Sequence, residues 1–174
     1  MIAVLNIHER TLPAAPERVG DLIDSLGSDD DRLWPPDWPP VRFEAPLAVG
    51  VRGGHGPVRY QVSHYVPGQW VRFRFTGRGG FDGFHEFAVE SLGPNCAVLR
   101  NTLVLRPSAT RWLGWLLFFR VMHDTAFEQC LDRAELALTG RVARPVRWGF
   151  YVRLLRRLSA WLVPRWLTSP YASA

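Results

Sequence analysis

The sequence predicts an α+β domain in which an antiparallel β-sheet curves around one long C-terminal helix. Three observations predict this fold class. Between residues 41 and 106, short runs rich in Val, Phe, Tyr and Thr alternate with Gly and Pro turns, as is typical of strands. Residues 110–138 then follow a helical repeat that ends before Gly140. The connections between successive strands are brief, and strands joined so closely pair antiparallel.

The composition indicates one globular domain followed by a basic extension. Of the 174 residues, 47% are hydrophobic and 21% are charged, and every one of the 21 basic residues is Arg. Residues 1–140 hold 14 Arg and all 16 acidic residues, a formal charge of −2, whereas residues 141–174 hold 7 Arg and no acid. We therefore predict a domain over 1–140 and a C-terminal extension over 141–174. Because the main body is slightly acidic, we expect no nucleic-acid partner.

Several classes of site are excluded by what the chain lacks. Cys96 and Cys130 are too few and too distant for a zinc site, so we expect free thiols and a cytoplasmic protein. The glycine-rich runs at 50–56 and 77–80 lack the lysine and spacing of a phosphate-binding loop, so no cofactor is expected. No metal site is expected, because His123 and Asp124 are adjacent rather than one helical turn apart.

The distribution of apolar residues predicts neither a signal sequence nor a membrane span. The N-terminus runs directly into strand-like residues, so we expect no signal sequence. The longest apolar run, residues 112–119, is far shorter than the roughly 20 residues that cross a bilayer.

The N-terminal third predicts a strand, a short helix and a stiff connector. Residues 2–12 alternate like a strand, and Pro16 suits the first turn of a helix that ends at Leu26 before Gly27. Ser28 and the acidic residues after it predict another helical turn up to Trp34. Residues 34–40 contain four prolines and two tryptophans, which predicts a loop packed on the core or at the rim of a pocket. A proline-rich recognition segment is the alternative.

Five further strands and one long helix complete the predicted domain. We place the strands at 41–51, 57–66, 69–77, 83–92 and 96–106, with Pro46 as a candidate break in the first of them. The long helix carries its acidic residues mostly off the stripe that faces the sheet. That stripe consists of Leu116, Phe119, His123, Phe127, Cys130, Leu131, Ala134 and Leu138.

This order of elements resembles the helix-grip fold of the START-like (SRPBCC) superfamily. The superfamily includes Bet v 1-like pathogenesis-related proteins, polyketide cyclases and dehydrases, and lipid-transport domains. The residues that carry the resemblance lie within 1–139 and read HERTLPAAPERVGDLI, RLWP, GPVRYQVSHYVPGQWVRFRF, GFDGFHEFAV and HDTAFEQCLDRAE. The resemblance implies an apolar cavity between the sheet and the long helix, in which sterols, hormones, lipids or polyketide intermediates bind.

Alternation along the strands assigns side chains to that cavity. In 57–66, the face with Tyr60, Val62 and His64 is the more apolar and is predicted to point inward. The same argument turns His85 and Asn101 inward on later strands. The full set predicted to line the cavity is Tyr60, Val62, His64, Phe73, Phe75, His85, Phe87, Asn101, Phe119, His123 and Phe127.

Two functions follow from this lining. The first is binding or carriage of a small hydrophobic molecule. The alternative is an enzyme of the polyketide cyclase or dehydratase kind, in which His64 or His85 removes a proton next to a carbonyl group. Tyr60 or Asn101 would then hold the enolate oxygen. Each of these residues also has a purely structural interpretation, as a buried polar group with a backbone partner.

The basic extension predicts an amphipathic helix within residues 145–167. Its apolar arc is Phe150, Tyr151, Leu154, Leu155, Leu158, Trp161 and Leu162, and arginines occupy the other side. Three interpretations stay open: peripheral contact with an anionic membrane, packing on its own domain or on a second subunit, and a disordered tail.

Overall fold

A computed structural model describes residues 3–76, 81–107 and 109–162 of the chain. Within those residues the strands form one antiparallel sheet in the order β1-β7-β6-β5-β4-β3-β2. Consecutive strands from β2 to β7 are therefore neighbours, and β1 returns to pair with β7. The strands are β1 (Val4–Leu12), β2 (Arg42–Phe43), β3 (Arg52–His55), β4 (Val58–Val66), β5 (Trp70–Phe75), β6 (Phe81–Gly93) and β7 (Cys96–Pro107).

The predicted strand 41–51 is wrong. Only Arg42–Phe43 of that segment is a strand, and a separate strand, β3, occupies residues that lie between the predicted strands 41–51 and 57–66. β3 pairs with β4 so that Gly53 lies opposite Tyr60. A Cβ atom at Gly53 would lie 2.3 Å from the Phe43 ring, so glycine lets that ring lie directly on the strand.

A short helix, α1 (Pro16–Asp24), closes one end of the sheet. It packs so tightly that a Cβ atom at Gly20 would lie 2.0 Å from the Gly68 carbonyl oxygen in the β4–β5 turn. The Asp24 carboxylate holds the same turn by accepting hydrogen bonds from the Gly68 amide at 2.8 Å and the Tyr65 hydroxyl at 2.9 Å. This contact fixes the end of β4.

The connector after α1 packs on the domain core, as predicted. The further helical turn predicted before it is absent from this stretch of the described chain. Instead the Asp31 carboxylate accepts hydrogen bonds from the amides of Leu33 and Trp34. Trp34 and Trp38 are 6% and 8% exposed, and the Trp38 indole donates to the Gln129 side chain at 2.7 Å.

The long helix is continuous but contains one wider turn. It consists of α2 (Ala109–Gly114), a π-helical turn (Trp115–Phe119) and α3 (Arg120–Thr139), and it ends at Gly140 in a left-handed conformation. The π turn adds one residue to the helical repeat, which rotates the residues before it relative to the predicted stripe. Trp115, outside that stripe, is consequently buried, whereas Leu116 is half-buried.

The extension forms a further helix, α4 (Phe150–Leu162), that lies on the domain. Val152 and Leu155 are buried, and the Tyr151 hydroxyl donates to the Leu117 carbonyl oxygen at 2.6 Å. The Arg156 guanidinium lies over the rings of Trp38 and Trp148 at 4.6 and 4.2 Å. The structure thus favours packing on its own domain for this part of the extension. The side chains of Trp161 and Leu162 are not described, and residues 163–167 of the predicted segment lie outside the described residues.

None of the helices in the part of the chain that the structure describes is long and apolar enough to span a bilayer. Cys96 and Cys130 are free thiols, as predicted.

Candidate functional site: imidazoles between the sheet and the long helix

The predicted lining residues divide into three groups by exposure. Phe75, Phe119 and His123 are half-buried, and His64 is exposed. The remaining seven are buried, from 0% to 5% exposed: Tyr60, Val62, Phe73, His85, Phe87, Asn101 and Phe127.

The inward orientation predicted for His64 is wrong. A β-bulge shifts the register of β4 between Val62 and His64, so the alternation that places Tyr60 and Val62 inside reverses beyond it. His64 packs on Trp70 at the surface, with ring centroids 5.2 Å apart, and Val66 is 41% exposed. His64 is therefore not a candidate base in the interior.

His85 on β6 lies at the centre of a cluster of rings. Its ring centroid lies 5.0 Å from Phe73, 5.1 Å from Tyr60 and 5.4 Å from Phe75. Its neighbour across the helix interface is Phe127 of α3, at 6.0 Å. Alternation on β6, which pairs with β5 and β7 on either side, turns this imidazole toward α3.

Neither ring nitrogen of His85 has a hydrogen-bond partner among the described residues. Burial lowers the pKa of His85 well below its usual value, and nearby imidazoles add to the effect. The side chain is thus a neutral imidazole at pH 7, with one N–H donor and one nitrogen acceptor both enclosed by aromatic rings.

His55 is absent from the predicted lining, because no strand was predicted at its position. Its ring lies 4.7 Å from Trp34 and 5.8 Å from Tyr60, and its Nδ1 lies 3.4 Å from the Tyr60 hydroxyl. Burial lowers the pKa of His55 to about 3, with smaller effects from His123 and Arg59. The signal that could have found it is the pairing of a Gly-Gly-His run with the next strand.

One polar atom of the Asn101 side chain hydrogen-bonds to the backbone of the adjacent strand, and the other does not. Its Nδ2 donates to the Glu86 carbonyl oxygen at 2.9 Å, while its Oδ1 is buried with no hydrogen bond within the described ranges. Gly83, two residues before His85 on β6, accommodates the neighbouring strand. A Cβ atom there would lie 2.0 Å from the Val104 carbonyl oxygen.

His123 links this interior to a polar seam between β1 and α3. Its ring lies 4.2 Å from Phe127 on one side and 5.9 Å from His8 of β1 on the other. Both of its ring nitrogens are buried and have no hydrogen bond in the described part of the chain, and burial lowers its pKa. The Asp124 Oδ1 atom lies 3.8 Å from its Nδ1.

The β1–α3 seam, which consists of Asn6, His8 and Arg10 opposite the acidic residues of α3, was also missed. Those acidic residues were expected on the solvent side of the helix. The His8 imidazole lies 2.7 Å from Glu128 and 3.2 Å from Asp124 through its two nitrogens. Burial alone would lower the pKa of His8, but these two carboxylates raise it above its usual value.

Comparisons with known proteins identify the fold. No family model matches the chain, and no curated protein matches its sequence. Among solved structures, CalU16 from Micromonospora echinospora is similar with a TM-score of 0.60 and 12% identity, over 96% of this chain and 90% of that one. Norcoclaurine synthase from Thalictrum flavum, in complex with dopamine and hydroxybenzaldehyde, is similar with a TM-score of 0.59 and 12% identity, over 79% and 87%.

A third similar structure is the Aha1 dimer from Colwellia psychrerythraea, with a TM-score of 0.54 and 18% identity, over 79% of this chain and 96% of that one. These likenesses confirm the predicted α+β helix-grip fold, which was inferred from the resemblance to the START-like superfamily. At such low identities they establish the fold and leave activity to be argued from the site.

Proposed function

We propose that the protein binds a small, largely apolar molecule between the sheet and α3, and that His85 hydrogen-bonds a polar group of that molecule. The observation that carries the proposal is the burial of His85, 5% exposed, with both ring nitrogens unpartnered among the described residues. An unsatisfied buried polar group costs about 1–3 kcal/mol. A ligand hydroxyl or carbonyl that meets the imidazole would offset that cost.

The surroundings of His85 favour a neutral ligand with a flat ring. A neutral imidazole in an apolar environment does little to stabilise a charged carboxylate or ammonium group. The rings of Tyr60, Phe73 and Phe75 favour aromatic contacts at the spacings observed here. The norcoclaurine synthase structure, which has the same fold, holds two ring compounds.

The test separates binding from stability. We expect His85→Phe to unfold at the same or a higher temperature than the wild type, because the substitution removes an unsatisfied polar group. We expect the same variant to lose a small molecule that co-purifies with the wild type in native mass spectrometry. A matched control is His64→Phe, which alters an exposed histidine on β4. Equal retention of that molecule by wild type and both variants would contradict the proposal, as would its absence from the wild type.

An acid–base enzyme is the second candidate. Its supporting observation is that His55 and His85 have lowered pKa values and that the Tyr60 hydroxyl lies within 3.4 Å of His55. A neutral His85 could remove a proton from the carbon next to a carbonyl group. The electron pair would move onto the carbonyl oxygen, and the Tyr60 hydroxyl would hold the resulting enolate.

Turnover distinguishes the enzyme from the binding protein. We expect His85→Phe to abolish any cyclisation or dehydration of aromatic polyketide substrates, and Tyr60→Phe to lower the rate constant kcat with a smaller effect on KM. Absence of turnover in the wild type, with probe binding intact, would leave the carrier function alone.

The extension carries a proposal of its own. Besides its packed residues, α4 exposes Phe150 at 81%, Leu154 at 40% and Leu158 at 44%, alongside arginines. Contact with an anionic membrane surface, or with a second copy of the chain, would cover these side chains. Replacing all three with Asp should abolish flotation with phosphatidylserine vesicles, or reduce the sedimentation mass of a dimer. If the wild type neither floats nor dimerises, this part of the proposal fails. Cytoplasmic location stays a prediction.

A further inference from the structure

The β1–α3 seam follows from the spacing of the two elements. Alternate residues on a strand lie about 6.6 Å apart, and residues four apart on a helix lie about 6 Å apart. Every second residue of β1 can therefore meet every fourth residue of α3. Asn6 donates to Asp124 at 2.9 Å, His8 reaches Asp124 and Glu128, and Arg10 reaches Asp132 at 2.6 Å.

Three donor atoms converge at the N-terminal end of this seam. The His8 Nε2 and Asp124 Oδ1 atoms lie 3.2 Å apart, and the His123 Nδ1 atom lies 3.8 Å from the same oxygen. One ligand atom from each residue lies within 4.8 Å of the other two. Zinc takes nitrogen and oxygen ligands at about 2.0–2.2 Å, which places neighbouring ligands of a tetrahedron roughly 3.3–3.6 Å apart. The separations of 3.2 and 3.8 Å are near this spacing and the third lies within 4.8 Å, so small side-chain movements would bring the three donors onto one ion.

Contacts with neighbouring side chains determine which atoms of His8 and Asp124 face the centre of the cluster. A Glu128 carboxylate oxygen lies 2.7 Å from His8 Nδ1, and a carboxylate can only accept, so that nitrogen carries the proton. The other nitrogen of His8 then faces the Asp124 oxygen. This carboxylate–histidine arrangement is the one that supports histidine ligands in metal sites. Arg120 lies 3.6 Å from the Oδ2 atom of Asp124, whereas the Oδ1 atom faces the two imidazoles and also accepts a hydrogen bond from Asn6 at 2.9 Å.

One shared proton does not satisfy the hydrogen-bonding groups of His8, His123 and Asp124 together. A proton between His8 and Asp124 forms one ion pair, but it leaves both buried nitrogens of His123 without a hydrogen bond within the residues described. A cation bound by all three groups would give His123 Nδ1 a partner as well. The His8 side chain is 11% exposed and that of Asp124 is 35% exposed, so an ion can reach the cluster from solvent.

We propose that His8 Nε2, His123 Nδ1 and Asp124 Oδ1 bind a divalent transition-metal ion of the Zn²⁺ class, with Glu128 as the outer carboxylate. Two imidazoles and one carboxylate form a donor set that such ions accept, and three protein ligands leave a further position open. In the sequence, the adjacency of His123 and Asp124 argued against a metal site. The structure adds a third donor from β1, which lies more than 100 residues away along the chain. This proposal is independent of ligand binding at His85.

The first experiment titrates Zn²⁺ into untagged, chelator-treated full-length protein by isothermal calorimetry. We expect one ion per chain, with affinity reduced at least tenfold by each of His8→Gln, His123→Gln and Asp124→Asn. Glu128→Gln keeps all three donors and should cost less. The matched control is His64→Gln, which should bind like the wild type. Absence of binding by the wild type, or binding that His64→Gln alone weakens, would overturn the proposal.

A second measurement needs no folded variant. In wild-type protein with ¹⁵N-labelled histidines, added Zn²⁺ should move the ring signals of His8 and His123 and leave those of His64 in place. Co²⁺ should produce visible absorption bands typical of a four-coordinate nitrogen and oxygen site. Signal changes confined to His64, or none at all, would show that the ion does not bind at the seam.

Discussion

Histidine occupies two opposite environments in this protein, which are linked through the rings of Phe127 and His123. His55 and His85 lie among aromatic rings, where burial keeps them neutral. His8 lies between two carboxylates of α3, which raise the pKa of the same residue type above its usual value. His123 lies between the two regions. The difference teaches that the facing element, the aromatic sheet surface or the acidic helix flank, decides in which direction the pKa of each imidazole shifts.

The largest effect expected in this comparison is loss of the ring that separates the two regions. Phe127 is 3% exposed and contacts Trp34, Phe87 and His123. We expect Phe127→Ala to lower the free energy of unfolding by about 3–5 kcal/mol, because a large buried side chain leaves a cavity. Urea denaturation measures it. Leu136→Ala, on the same helix but 50% exposed, is the control and should cost less than about 1 kcal/mol. Equal losses would contradict the interior position of Phe127.

The two environments should give opposite dependence of stability on pH. His55 has a folded pKa of about 3, below the unfolded value of 6.5, so its contribution is present above pH 6.5 and is lost as pH falls toward 3. The loss is on the order of a few kcal/mol. The raised pKa of His8 has the reverse sign: its contribution is present below pH 6.5 and is lost as pH rises through the folded pKa.

Paired variants isolate these two contributions. Urea denaturation between pH 4 and 9, in the presence of chelator, should show a weaker acid destabilisation for His55→Gln than for wild type. The wild type should lose stability as pH rises through the folded pKa of His8, and His8→Gln should lack that loss. Slopes of the same sign for both variants would show that the two environments do not differ as described.

Arg10 balances the negative charge of the acidic residues in the β1–α3 seam. Its guanidinium contacts Glu128, Asp132 and Glu135 at 2.6–3.3 Å, with the arginine side chain 20% exposed. Arg10→Met leaves these carboxylates facing one another, and we expect a loss of about 2–3 kcal/mol. Arg100→Met is the control, since its pairs with Glu9 and Glu90 are exposed and should contribute less than about 1 kcal/mol. A larger loss for the control would place the charge balance elsewhere.

The smallest expected effect is the loss of stability when the hydrogen bond from the neutral Tyr65 hydroxyl to the Asp24 carboxylate is removed. Burial and the hydrogen bond to Asp24 raise the pKa of Tyr65 to about 12. Tyr65→Phe should cost about 1 kcal/mol in thermal or urea unfolding. Tyr151→Phe, which removes a hydrogen bond at an exposed residue, should cost less. Ultraviolet titration should show a tyrosine that ionises near pH 12 in the wild type and is missing from Tyr65→Phe, and ionisation of Tyr65 near pH 10 would contradict the contact.

Much of the fold could be predicted because it depends on local patterns. Gly140 ends the long helix in a left-handed conformation, and the strands from β4 to β7 lie within a few residues of their predicted places. The exceptions have local causes that periodicity does not reveal. A β-bulge turned His64 outward, and one π turn brought Trp115 inward.

The candidate site was only half predictable for a different reason. Tyr60 and His85 could be placed inside, because alternation on a paired strand determines which face a side chain occupies. His55 could not, since its short strand is recognisable only from its pairing with β4. His8 and Asp124 belong to elements far apart in the chain, and their meeting depends on how β1 lies along α3.

The sequence by itself determined the class of fold, the order of its elements and the polar residues available to an interior. Those properties follow from the spacing of apolar residues and from turn-forming Gly and Pro, which act over a few residues. Only the tertiary structure decided which imidazoles have a lowered pKa, which has a raised pKa and which three donors converge. These outcomes depend on desolvation and on distances of a few ångströms between side chains from separate elements, where electrostatic interactions are strongest.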